Sequence, residues 1–301
     1  MKALLPYFFL MASQFCFASN HIMGRMVEGS VPPIGLSFWR WVGAVIILLP
    51  FTWRNVLQAW PAIRARWRML VLISVSLVIL GNTMIYIGLN YTTAINASVI
   101  AVAQPSVTFI LSWIIYRERI TPGQAAGAAL AMVGVLTVLT RGNPLALTGL
   151  DLNRGDLFVC VSTIGLSLYS ILLRNVPREL SQLAIITVLQ AIGAMLLAPF
   201  YLWESIAVAP LQLNAETIAA ALWAAVVVAI LAMLLWNLGV AQVGANKASV
   251  YVYFRLLFVA IGAMLILNEQ LHAYHFAAFV LVAAGIWLVS RARTQPRAVS
   301  G

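Results

Sequence analysis

The chain has 301 residues, 63% of them hydrophobic and only 9% charged, with mean hydropathy +0.97 and a formal net charge of +10. A soluble globular domain carries about 25% charged residues, so this composition excludes one and puts the chain in a bilayer. The basic residues are spread over alternate short loops instead of forming one patch, which argues against nucleic acid as a partner.

Apolar stretches near the roughly 20 residues that cross the hydrocarbon follow one another along the chain. Each must be helical, because lipid offers the backbone no hydrogen-bond partners. Ten spans are predicted, at 5–23, 32–52, 69–90, 95–115, 123–140, 157–173, 181–203, 216–237, 248–267 and 275–290.

The first span, with Lys2 ahead of an apolar run and Ala18-Ser19-Asn20 behind it, imitates a cleaved secretory signal. Cleavage would leave nine spans and remove the partner of the sixth, so we read it as a retained helix. Its Ser13, Gln14, Asn20 and His21 are expected to face inward, as are Ser162, Thr163, Ser167, Tyr169 and Ser170 of the sixth span. His21 is a proton-binding side chain near the path, but its place toward the outer end favours an interfacial ring over a carrier. Cys16 and Cys160 both fall inside predicted spans and read as small apolar residues.

The second span carries Arg40 about eight residues in, between Trp39 and Trp41. A charge at mid-bilayer costs about 2.5 to 3.5 kcal/mol on insertion scales and therefore needs a partner or a watery cavity. The stretch 53–68 mixes Trp53, Trp60 and Trp67 with four arginines, which suits an amphipathic segment at the membrane surface.

The third span offers Asn82 and Tyr86 one turn apart, with Asn90 one turn later. The fourth adds Gln104, whose neighbour Pro105 should kink the helix and free a carbonyl. The fifth is of another kind: Gly123 and Gly127 form a GxxxG followed by Ala131 and Gly134, and the tenth answers with Ala277, Ala278, Ala283, Ala284 and Gly285. Such small-residue faces allow close helix packing, either within the chain or in a homodimer. The eighth span contributes Met233, Trp236 and Asn237, and the ninth Tyr251, Phe254 and Arg255.

The chain also repeats itself. Residues 88–138 align without a gap on 239–289 at an offset of 151, with twelve of the 51 pairs identical, among them Gly88 with Gly239, Ala97-Ser98-Val99 with Ala248-Ser249-Val250, and Glu118 with Glu269. Upstream the correspondence continues at an offset of 149 or 150. This gives an N-terminal five-helix half over 1–140, an outer linker over 141–156, a second five-helix half over 157–290 and a tail over 291–301. Five is odd, so the halves enter the membrane from opposite sides, and a pathway is expected between them.

Within that scheme thirteen basic residues, among them Lys2, Arg64, Arg117, Arg174, Lys247 and Arg291, lie on one side, against Arg25, Arg141 and Arg154 on the other. The positive-inside rule makes the first side cytoplasmic, together with both termini. Six of the eight acids fall outside: Glu28, Asp151, Asp156, Glu204, Glu216 and Glu269. Glu118 and Glu269 close the fourth and ninth spans and read as helix-end contacts.

Arg255 pairs with Gln104 in the repeat, and Arg40 with Gln190, so each half places polar side chains at matching depth. One reading gives the guanidinium groups a substrate carboxylate, which they bind bidentately; the other satisfies them with helix carbonyls and the amides of Asn82, Gln104 or Asn237. The chain has no HExxH, no GxSxG, no phosphate loop and no thiol or acid cluster, so neither an enzyme, a metal nor a cofactor is expected.

The passage Gly88-Leu89-Asn90-Tyr91-Thr92-Thr93-Ala94 with Ala97-Ser98, then Pro105, Glu118, Gly127 and Gly134, doubled through Ala248-Ser249, Glu269 and Gly285, resembles the EamA-type branch of the drug/metabolite transporter superfamily. The proline typical of the ninth span in that branch is absent; Arg255-Leu256 stands there. The resemblance implies an all-α inner-membrane protein of ten spans in two inverted repeats. It also implies alternating access around a central cavity and export of amino acids or related metabolites. A cavity with aromatic walls beside an arginine suits aromatic or other bulky amino acids. The alternatives are an exchanger of organic anions or phosphorylated metabolites, a passive channel and a membrane enzyme.

Overall fold

The computed structural model describes residues 4–117, 121–143, 153–176, 180–243 and 251–291. The expectations on Lys2, Glu118, Lys247, Ala248-Ser249, most of the linker and the tail beyond Arg291 lie outside the described residues. Within them every regular element is a helix.

Helix α1 (Leu5–Met26) leads through a short turn to α2 (Pro33–Gln58) and the short α3 (Trp60–Ala65). Then come α4 (Trp67–Leu89), the bent pair α5 (Ala94–Val102) and α6 (Gln104–Tyr116), and α7 (Pro122–Leu139). The second half runs through α8 (Arg154–Leu172), α9 (Gln182–Ala207), α10 (Ala215–Val243), α11 (Val252–Ile266) and α12 (Ala273–Arg291). Six of these helices, α2, α4, α7, α8, α9 and α10, are long and apolar enough to cross a membrane, and the pair α5–α6 makes a seventh if it is one bent span. This is a multi-pass membrane architecture.

Pro105 stands at the start of α6, where its missing N–H removes a rung of the ladder, and the axis turns by 42° between α5 and α6. The segment 53–68 stays helical but for single-residue breaks at Ala59 and Arg66, with Trp53, Trp60 and Trp67 exposed and Arg54 and Arg68 set over the rings of Trp53 and Trp67. An element with no hydropathy signature lies inside α4 and again inside α10: both wind as π-helix, over Val75–Thr83 and Ala224–Leu231. Their starts differ by 224 − 75 = 149 residues, the offset of the upstream repeat. Single-turn π insertions tend to occur at functional sites.

Packing links the two halves throughout. Helix α1 lies against α10 and α11, and its counterpart α8 lies against α4, α5 and α6. Helices α2 and α9 pair lengthwise, as do α7 and α12. In lipid, helices gain little from burying apolar surface, so close approach and hydrogen bonds hold them together. A methyl added at Gly193 of α9 would meet Val78 of the α4 π segment at 2.2 Å, and one at Gly165 of α8 would meet Leu80 at 2.6 Å and the Gly81 nitrogen at 2.7 Å. The Ser162 hydroxyl donates to the Gly81 carbonyl at that crossing.

Two helix N-termini of the first half are capped by carboxylates of the second. Glu204 accepts from the N–H groups of Ile34 (3.1 Å) and Gly35 (2.6 Å) at the start of α2. Glu269 accepts from those of Ala94 (2.8 Å) and Ile95 (3.1 Å) at the start of α5. Each satisfies orphan donors and the positive end of a helix dipole.

Candidate functional site

Helix α1 carries the polar residues that organise the interior, and its register sorts them into two groups. Gln14, Phe17 and His21 follow at i, i+3 and i+7 and share one face, while Asn20 points elsewhere.

Arg255 of α11 lies on the first face. Its Nε and Nη2 both donate to the Gln14 amide oxygen, at 3.1 and 3.0 Å, and its guanidinium carbon stands 4.7 Å from the centre of the Phe17 ring. Gln14 is fully buried, whereas Arg255 is only half-buried. Among the described residues no carboxylate lies within ion-pair distance of Arg255 or Arg40. Arg255 is thus a full charge held by a neutral amide and an aromatic face. Beside it, Tyr251 stacks between Tyr7 (5.9 Å) and Phe254 (5.6 Å), giving an aromatic wall.

Arg40 belongs to the second group and is withdrawn from solvent, with 3% exposure. Its Nη1 donates to the Tyr86 hydroxyl (3.1 Å), which donates to Asn20 Oδ1 (2.6 Å). The guanidinium lies 4.4 Å from the Trp41 ring centre and 5.8 Å from that of Tyr86. Trp39 takes no part in this; its indole N–H donates to the Tyr201 hydroxyl (3.2 Å) near the start of α2. Gln14 and Asn20 are six residues apart, about 9 Å along the helix axis, so the two arginines sit at different depths of one helix.

The remaining candidates are scattered about these groups. Asn82 lies in the π segment of α4, where its amide N–H donates to the Leu77 carbonyl five residues back (2.7 Å). Gln104 is half-buried at the bend, and its backbone carbonyl accepts from the Ser167 hydroxyl (3.2 Å). Trp236 and Asn237 are half-buried on α10, which packs on α1. His21 differs from the interfacial ring expected for it: it is 4% exposed, because α10, α11 and the end of α4 surround α1 on that side. Gly127, Gly134 and Gly285 pack α7 against α12 within the chain, and Gly123 is half-buried in the first turn of α7.

The end of the bundle that carries Asp156 is densely packed and hydrogen-bonded. All nine residues of α5 are buried. Asp156, read from sequence as a loop acid, is fully buried in the first turn of α8 and accepts from the Thr92 hydroxyl. Asn96 donates to Thr92 (3.3 Å) and accepts from the His275 ring (2.8 Å). Nearby Arg25 pairs with Glu28, stands 3.8 Å from Glu269 and donates to the Leu89 carbonyl (3.0 Å). Toward the other end, Tyr251, Arg255, Trp236 and Asn237 are half-buried. Sequence reasoning named Gln14 and Asn20 as inward-facing, yet it missed their partners, which lie 241 and 66 residues away. The i, i+3, i+7 stripe of Gln14, Phe17 and His21 was the one available signal. Among the described residues no group of three or more His, Cys, Asp or Glu could hold a metal.

An all-helical, multi-pass bundle with embedded arginines defines an integral membrane protein. The model of the EamA-like transporter family matches the chain twice, over residues 4–140 and 153–291, and the chain belongs to that family. It is similar to the uncharacterized transporter YyaM of Bacillus subtilis (25% identity over 98% of each chain) and to an uncharacterized transporter of Archaeoglobus fulgidus (26%, over 95% of this chain and 97% of that one). A WAT1-related protein of Arabidopsis thaliana is 25% identical over 96% of this chain and 82% of its own. One solved crystal structure, 15% identical, superposes with a TM-score of 0.57 over 95% of this chain and 94% of that chain, a likeness of fold.

Proposed function

We propose that this protein is a secondary transporter that exports amino acids, aromatic ones among them, across the cytoplasmic membrane. Ten spans in two inverted five-helix halves alternate access to a central site, with both termini in the cytoplasm. The reciprocal packing of α1 and α8 on the opposite half, and the paired π segments, support the inverted arrangement. One densely packed end and one half-exposed end fit alternating access.

The observation that carries the substrate reading is Arg255: a half-buried guanidinium without an acid partner among the described residues, anchored by Gln14 and flanked by the Tyr7–Tyr251–Phe254 stack. A ligand carboxylate can replace the neutral amide with a stronger, bidentate partner, and a bulky side chain can lie on the rings. Asn237, Trp236, Gln104 and Asn82 are the further wall residues in this reading, while Tyr86 is taken up by the Arg40 group. The burial of Arg40 against Trp41 and Tyr86 leaves Arg255 as the embedded guanidinium open to a ligand among the described residues, which favours a monocarboxylate over phosphorylated compounds. Counterflow in proteoliposomes tests this. Phenylalanine inside should drive saturable uptake of labelled phenylalanine, and phosphorylated compounds should not; exchange of phosphorylated compounds in its place would overturn the reading.

A further inference from the structure

His21 is buried, and the described residues use only one of its two ring nitrogens. Nδ1 lies 3.3 Å from the Phe17 carbonyl oxygen. A carbonyl can only accept, so this hydrogen bond places the ring proton on Nδ1 and leaves Nε2 as a bare lone pair. Nε2 is buried and has no hydrogen-bond partner among the described residues. The register of α1 sets His21 one turn beyond Phe17 and two turns beyond Gln14, on the face that Arg255 occupies, and the guanidinium charge acts on the ring.

The surroundings isolate this lone pair. Of the elements packed on α1, α5 and the α10 segment 224–243 carry no titratable side chain. Helix α11 contributes Arg255 and Tyr253, its N-cap is Tyr251, and the end of α4 contributes Tyr86, whose hydroxyl is engaged by Arg40 and Asn20. On α1 itself Cys16 is free, and Arg25 is one turn on, engaged by Glu28 and Glu269.

We propose that His21 Nε2 is the acceptor for the substrate's ammonium group, and that a proton and the ammonium compete for its one lone pair. This rests on the reading of Arg255 as the carboxylate site: the pair then recognises both charged groups of an amino-acid zwitterion. When histidine is protonated on Nε2, the arriving ammonium N–H takes over the lone pair and the displaced proton leaves to solvent. Mutually exclusive occupancy of one site by proton and substrate is what couples their opposite movement, so the arrangement makes the export of substrate an exchange for protons.

The test is calorimetry on the purified full-length protein, in paired buffers of different ionisation enthalpy, between about pH 4 and pH 8. The two ligands are phenylalanine and phenylpyruvate, which shares the ring and carboxylate, lacks the ammonium and stays a carboxylate throughout this range. Phenylalanine should release up to one proton per site at the acid end and none at the alkaline end, while phenylpyruvate should release none. His21→Gln should bind phenylalanine more than tenfold more weakly, with no release at any pH. Phenylalanine binding without proton release across the range, equal release by both ligands, or release retained in the variant would overturn the proposal while leaving Arg255 as the carboxylate site. Binding of neither ligand would overturn both.

Discussion

Gly127 of α7 and Gly285 of α12 face each other so closely that a methyl on either would come within 2.5 Å of the other's carbonyl oxygen. The obstacle is backbone, which cannot swing aside, and a methyl at Gly127 would also meet the Val289 N at 2.8 Å. Gly127→Ala should therefore lower thermal stability in detergent by about 1 to 3 kcal/mol, the usual range for overpacking. Gly127→Leu should prevent α7 and α12 from pairing, and the monodisperse peak on size exclusion should be lost. An unaltered melting temperature for both variants would show that this crossing tolerates separation.

Glu204 joins the halves at the other long pair. It is 4% exposed and accepts from two N–H groups at the start of α2. Glu204→Ala leaves the buried Gly35 donor and the partly buried Ile34 donor unpaired, and a loss of about 1 to 3 kcal/mol in stability is expected. Glu204→Gln keeps one acceptor oxygen, so its loss should be smaller. Equal melting temperatures for the two variants would contradict the capping role.

Tyr86 holds the Arg40 group together through a single oxygen atom. Tyr86→Phe removes it and leaves a guanidinium N–H and the Asn20 carbonyl oxygen unsatisfied, which should destabilise by about 1 to 3 kcal/mol. In a double-mutant cycle Arg40→Met should recover part of that loss, because the stranded charge goes with it. Additive losses would show that Arg40 and Tyr86 are energetically independent.

Gln14→Ala removes the acceptor that orients Arg255 without touching the charge. If Gln14 positions the guanidinium for a carboxylate, the variant should transport with a KM raised about tenfold, corresponding to about 1.4 kcal/mol, and a nearly unchanged maximal rate. A fall in maximal rate at constant KM would place Gln14 in the conformational step instead.

The membrane class, the bend at Pro105 and the small-residue faces of α7 and α12 were legible because each rests on local composition; that the two faces meet each other within the chain was not. The π segments at 75–83 and 224–231 were not, because their residues are as apolar as any α-helical span and the extra residue per turn leaves no periodic trace. Asp156 and Glu204 read as loop acids because a charge near a helix end looks the same whether it meets water or a buried donor. The polar faces of α1 were visible as a stripe, but Gln14 finds Arg255, and Asn20 finds Tyr86, only through folding. His21 was misjudged as interfacial because depth along one helix says nothing about which neighbours cover it.

The central claim is that Arg255 is the carboxylate anchor of a transport site between the two halves. Counterflow of labelled phenylalanine by Arg255→Gln, reconstituted after eluting as a monodisperse peak like the parent protein, tests it most directly. The expected result is loss of at least 90% of the saturable uptake, in line with the roughly 1.5 to 3 kcal/mol of a charged hydrogen bond. Uptake with the parent's KM and maximal rate would contradict it.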